Sequence, residues 1–98
     1  MSRLDRELAR MLRASAANHG VALTVVLTRS RDWSSALFSG ERLTFELRND
    51  GDEEAFDAWL AALPEAEFPL RGWFVADADM TERRAGAALV DFLLIEEA

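Results

Sequence analysis

The spacing of apolar residues predicts two amphipathic helices. Between residues 3 and 18, apolar side chains recur every three or four residues, as on one face of an α-helix. This stripe contains Leu4, Leu8, Met11 and Leu12. Ser2 and Asp5 have capping-box spacing before it, and Gly20 is suited to the left-handed conformation that often ends a helix. A shorter helix is predicted between the turn at residues 49–52 and Pro64, with Phe56, Trp59, Leu60 and Leu63 on its apolar face.

Three strands are predicted between these helices. Residues 21–28 alternate and are rich in β-branched side chains, and residues 42–48 alternate apolar and polar positions, as in an antiparallel strand with one solvated face. Residues 33–38 form the strand between them. A three-residue loop, Phe38-Ser39-Gly40, would pair Trp33 with Phe45 and place Trp33 on the apolar face, with Gly40 in the left-handed conformation.

The C-terminal third has two interpretations. Residues 70–78 and 87–95 read as a second hairpin with a long loop between them, because Val90, Phe92 and Ile95 favour a strand and the strand at residues 70–78 needs a partner. Residues 82–96 also fit a helical stripe. The strand is the preferred prediction.

The predicted fold is a single α+β domain spanning residues 1–98. Two helices pack on one face of a mainly antiparallel sheet, in the order αβββαββ. The order can also be read as a duplicated αββ unit, since Gly40 precedes Leu43 with the same spacing as Gly86 precedes Leu89. The earlier strands need different offsets, however, so this echo stays an open alternative.

The charge distribution is uneven along the chain. Residues 1–48 contain eight arginines and five acidic residues, whereas residues 49–98 contain three arginines and thirteen acidic residues, and the total is −7. Such a negative total argues against non-specific binding to nucleic acid or anionic membranes. The longest apolar runs are far shorter than a bilayer span, and the N-terminal segment lacks the apolar stretch of a secretory signal. A soluble cytoplasmic protein is therefore predicted.

Candidate chemistry is sparse. The sequence contains no cysteine, and His19 is its single histidine, in a position typical of a helix end. The acidic residues Asp77, Asp79 and Glu82 do not match a calcium-loop pattern and are expected to be solvated. No catalytic residue, cofactor or metal site is predicted.

One set of residues could bind an anion. Arg29, Arg31 and Asp32 follow the end of a predicted strand, and planar guanidinium groups suit carboxylate or phosphate ligands. A small anion-binding protein or a small enzyme using these residues is the alternative functional prediction.

The final hairpin carries more apolar side chains than two short helices can cover. Both faces of its last strand are apolar, although the helices cover only one face of the sheet. The predicted interface residues are Trp73, Phe74, Leu89, Leu93 and Ile95. An exposed apolar patch of this kind usually marks an interaction surface. The sequence therefore favours a non-enzymatic interaction or regulatory module that forms a homodimer or binds another protein.

Overall fold

A computed structural model describes residues 2–97 as two helices packed on one face of a four-stranded antiparallel sheet. The elements are α1 (Arg3–Asn18), β1 (Leu23–Ser34), β2 (Ser39–Asn49), α2 (Glu53–Ala62), β3 (Trp73–Arg84) and β4 (Ala87–Glu96), with one 3-10 turn at Leu63–Glu65. The strand order across the sheet is β1-β2-β4-β3. The predicted α+β class and antiparallel sheet are confirmed. None of the helices among these residues is long and apolar enough to cross a membrane.

The helix ends follow the predicted capping chemistry. The Ser2 hydroxyl accepts from the Asp5 backbone N–H at 3.2 Å, and the Asp5 carboxylate accepts from the Ser2 backbone N–H at 3.1 Å. This reciprocal pair is the capping box expected from the sequence. Gly20 adopts a φ of 75° just after α1, also as predicted. At α2, the cap is Asp52, whose side chain accepts from the Glu54 backbone N–H at 3.1 Å.

The core lies between the helices and one face of the sheet. Fully buried side chains come from both helices and from the two central strands: Leu8, Leu12, Leu43, Phe45, Leu47, Phe56, Trp59, Val90, Phe92 and Leu94. Burying each of them contributes roughly 1.5–3 kcal/mol. The indole N–H of Trp59 donates to the Ser15 hydroxyl at 3.0 Å, so the two helices are also joined by a hydrogen bond.

The first edge strand is longer than predicted. The predicted strands at residues 21–28 and 33–38 and the polar connection between them form mostly one strand, β1, so the sheet has four strands rather than five. The register shifts between Leu27 and Arg29, which leaves Thr28 as a bulge. A bulge exchanges the faces on which later residues lie. The polar residues after Thr28 can therefore belong to the same strand as residues 23–27, because their side chains do not have to follow the apolar ones onto the helix side.

The β1–β2 hairpin has a different register from the predicted one. Trp33 pairs with Gly40 and Ser34 with Ser39, leaving a four-residue loop in which the Ser35 N–H donates to the Phe38 carbonyl at 2.8 Å. The predicted pairing of Trp33 with Phe45 is wrong, because the loop lies at residues 35–38 rather than at residues 38–40. Gly40 lies inside β2 without a left-handed φ. Its role is close approach, since a Cβ there would collide with the Leu94 carbonyl oxygen.

The second hairpin confirms the strand interpretation of the C-terminus. β4 pairs with β2 and β3 along its length, so residues 82–96 do not form a helix. β3 extends through most of the predicted loop, and the turn is short, with Gly86 at a φ of 75°. Two register shifts leave Ala76 and Thr81 as bulges in β3.

The αββ order occurs twice, but the sequence echo does not correspond in space. Each helix is followed by an antiparallel hairpin whose second strand is central in the sheet. Leu43 is buried against the helices, whereas Leu89 lies on the opposite face and is half-buried. The shared spacing after Gly40 and Gly86 therefore matches residues on different faces.

Candidate interaction face

The face of the sheet that carries no helix, called the outer face below, is assembled from cross-strand rows. Each row contains one residue from each strand in the order β1, β2, β4 and β3. Three neighbouring rows are Trp33-Gly40-Ile95-Phe74, Arg31-Arg42-Leu93-Asp77 and Arg29-Thr44-Asp91-Asp79. Because side chains alternate between faces along a strand, all members of these rows lie on the outer face.

One end of the outer face is apolar. We call the residues Trp33, Leu37, Phe38, Phe74, Leu93 and Ile95 the apolar end. Leu37 is 86% exposed, Phe38 50% and Phe74 42%, so the large side chains around the first hairpin loop are in water. Ile95 is 9% exposed, yet it is not part of the core between the sheet and the helices. Apolar side chains of this number in one place are typical of an interface.

The structure brings together three of the five residues predicted to form the interface. Phe74 and Ile95 are direct cross-strand partners, and Leu93 lies next to Ile95 on the same face of β4. Trp73 points to the helix side and packs against the core. Leu89 lies six residues from Ile95 along β4, roughly 20 Å away, where the charged residues of β2 and β3 surround it.

Three residues of the apolar end were not predicted from the sequence. Trp33 was assigned to the core, but the bulge at Thr28 and the pairing with Gly40 place it on the outer face. Leu37 and Phe38 lie in the hairpin loop, where large apolar residues are not needed to form a turn. Two such residues next to each other in a turn were the sequence signal that could have identified this end of the sheet as an exposed apolar surface.

The charges of the outer face are separated across the sheet. Arg29, Arg31 and Arg42 lie on the β1–β2 side, and Asp77, Asp79 and Asp91 lie on the β3–β4 side. In the middle, Arg42 contacts Asp91 at 3.4 Å, and the Thr44 hydroxyl donates to Asp91 at 3.2 Å. Among residues 2–97, the two arginines of β1 and the two aspartates of β3 form no ion pair within the chain. Over these three rows the outer face therefore has a basic edge and an acidic edge. Farther along β3, Arg84 lies on the same face and pairs with Glu46 and Glu82.

The predicted anion site is divided between two faces. Arg29 and Arg31 lie on the outer face, where Arg31 is directly opposite Arg42. Asp32 pairs with Glu41, and its side chain belongs to the helix side of the sheet. The three residues therefore do not converge on one ligand, although the two arginines remain close to each other.

The other predicted chemical groups lie apart from this face or within its acidic edge. The His19 ring lies beyond the end of α1, with its Nδ1 3.2 Å from the Ser15 carbonyl oxygen. Asp77, Asp79 and Glu82 are exposed along β3. In the part of the chain that the structure describes, no three acidic or histidine side chains are grouped so that they could hold a metal ion.

No protein-family model matches this sequence, and no curated protein matches it.

Proposed function

We propose that this protein is a non-enzymatic interaction module that forms a homodimer by packing two outer faces together. The proposal rests on one observation. The outer face carries both the apolar end and opposite charges on its two sides. The predicted location, the cytoplasm, is part of the same proposal.

A second copy fits this face because the face is self-complementary. A twofold axis parallel to the strands and between β2 and β4 would place β1 of one subunit over β3 of the other. This axis preserves the position along the strands, so each apolar end would meet the other apolar end. It also exchanges the two sides of the sheet, so each basic edge would meet an acidic edge. A twofold axis across the strands would place β1 over β1, so each basic edge would meet another basic edge.

The rows define the contacts of such a dimer. Trp33 would lie over Phe74 of the partner subunit, and Arg31 would lie over Asp77 of the partner subunit. Each contact occurs twice because the interface is isologous.

The size of the face is adequate for a specific dimer. Four strands at a spacing of about 4.8 Å and about ten residues at about 3.3 Å each give roughly 600 Å² for the whole outer face, which includes two further rows at Leu89 and Ala87. Two faces would then bury roughly 1,200 Å², the lower end of the range for stable interfaces. The packing angle expected for two twisted sheets, about 30°, keeps the rows close to alignment.

The solution mass tests the proposal. Light scattering across a dilution series should give twice the monomer mass at high protein concentration and a fall toward the monomer mass on dilution. High salt should weaken the dimer, because the charges at the two edges are exposed. A monomer at every concentration would contradict the proposal.

A further inference from the structure

A second surface lies at the edge of the sheet, between helix α1 and strand β1. We call this the edge groove; it is lined by Arg3, Arg6, Glu7, Ala9, Arg10, Arg13 and Val25. Arg3 contacts Glu7 at 3.8 Å, while the other three arginines form no ion pair among residues 2–97. The groove is therefore strongly basic in a chain whose total charge is −7.

The floor of the edge groove is an unpaired strand edge. β1 is bound to β2 on one side and is the last strand of the sheet on the other. Alternate residues of β1 direct their N–H and C=O groups away from β2, and none of these groups has a backbone partner in the described chain. The first half of β1, residues 23–28, has no charged side chain. Such an edge is a template for another strand.

The opposite edge of the sheet is protected against pairing. β3 has bulges at Ala76 and Thr81, and it carries Asp77, Asp79 and Glu82. Bulges and charges are the usual devices that prevent an edge strand from pairing. The second half of β1 has similar devices, the bulge at Thr28 and the charges of Arg29, Arg31 and Asp32, so the contrast between the two edges concerns residues 23–28.

We infer that the edge groove binds an extended acidic segment of another protein, which adds to the sheet as a fifth strand beside β1. Main-chain hydrogen bonds to β1 would provide affinity, as in other cases of strand addition. Side chains on the helix side of the added strand would lie next to Arg6, Arg10 and Arg13. Acidic residues at alternate positions are therefore the expected recognition pattern.

Charge selects this occupant over a second copy of the chain. If two β1 strands paired in an antiparallel manner, the arginine rows of two α1 helices would be brought together and would repel each other. A nucleic acid is disfavoured because the groove contains no aromatic ring on which a base could stack. The groove also remains open when two outer faces pack together, so this inference does not depend on the dimer.

Fluorescence anisotropy with a labelled peptide tests the inference. The probe is a peptide of alternating valine and glutamate with the length of β1, and the controls are a valine–lysine peptide and a valine–glutamate peptide with prolines at alternate positions. We expect binding of the first peptide alone. The Arg10→Glu variant should bind it roughly threefold to tenfold more weakly, because an exposed charge contact is reversed. Arg84→Glu, an exposed substitution of equal charge on β3 at the opposite edge of the sheet, should bind it as the wild type does.

Hydrogen exchange identifies the element that pairs with the peptide. The amides of residues 23–28 should gain protection, and those of β3 should not. Equal binding of the proline-containing peptide would overturn the inference, since that peptide keeps its charge but cannot form a strand. Protection at β3 would also overturn it, as would binding of a single-stranded DNA oligonucleotide in place of the peptide. The Phe74→Asp variant should bind the peptide as well as the wild type, whichever oligomeric state is found.

Discussion

Phe74 and Ile95 are direct partners across the β3–β4 pair, on the face of the sheet that carries no helix. Ile95 is nearly buried while Phe74 is 42% exposed, so the aromatic ring of Phe74 is the accessible part of this pair. A substitution at Phe74 should therefore weaken the dimer while the subunit remains folded.

The Phe74→Asp substitution should weaken the dimer about tenfold or more, because buried aromatic residues dominate interface energies. The subunit itself should lose at most about 1 kcal/mol of stability, the value of one cross-strand pair. Sedimentation measures the first effect and urea unfolding the second. Met80→Asp is the matched control, since Met80 is similarly exposed on β3 but lies on the helix side. If Met80→Asp dissociates the dimer and Phe74→Asp does not, the outer face is not the interface.

Crosslinking can test the proposed symmetry. The sequence has no cysteine, so Arg31→Cys and Asp77→Cys can be introduced together without background reaction. Within one chain the two positions are separated by the full width of the sheet, about 14 Å. Packed sheets lie about 10 Å apart, so a short bismaleimide should join residue 31 of one subunit to residue 77 of the other. Each single variant should stay uncrosslinked, whereas efficient crosslinking of Arg31→Cys alone would indicate a different axis.

The Gly40→Ala substitution should destabilise the fold by about 1–3 kcal/mol. The added Cβ would collide with the Leu94 carbonyl oxygen, and the backbone of a central strand can move only at a cost. Thermal or urea unfolding of the variant measures the loss. Gly51→Ala serves as the control, because its Cβ would meet nothing closer than 3.7 Å. An unchanged Gly40→Ala protein would contradict the close-approach role of this glycine.

The Glu41→Gln substitution should stabilise the protein near neutral pH. Burial raises the pKa of Glu41 above its ordinary value of 4.5, and the nearby Asp5 and Asp32 raise that pKa further. A carboxyl group with a raised pKa in the folded state favours folding below its ordinary pKa, and this contribution is lost as the pH rises through the raised pKa. Glutamine avoids the loss, and relief of the cross-strand repulsion with Asp32 should contribute about 0.5 kcal/mol.

Unfolding experiments at several pH values can check the Glu41 prediction. The stabilisation by Glu41→Gln should shrink as the pH falls toward 4.5, because the wild-type carboxyl group is then protonated. Glu67→Gln is a suitable control, since Glu67 is exposed in the loop before β3. A constant difference across the pH range would show that the ionisation of Glu41 does not affect folding.

The periodic elements were accessible to sequence analysis, and the irregular ones were not. The capping box at Ser2 and the strict alternation of β2 report local backbone geometry, so α1 and β2 were predicted closely. The bulge at Thr28 has no comparable signal, because it depends on how β1 pairs with β2 over many residues. The position of the turn was also missed, and placing it at residues 38–40 instead of 35–38 put Trp33 on the wrong face. The candidate interface was therefore predicted at Phe74, Leu93 and Ile95 but not on the β1 side.

The three tryptophans lie in three different surroundings, and this has a practical consequence. Trp59 is 1% exposed in the core, Trp73 is half-buried beside the loop before β3, and Trp33 is half-buried on the outer face. Because the sequence has no tyrosine, the intrinsic ultraviolet emission comes from these indoles with little contribution from other residues. Variants that retain one indole at a time would give separate fluorescent reporters without an attached dye. Trp59 would report unfolding of the core, and Trp33 would report association of the two subunits.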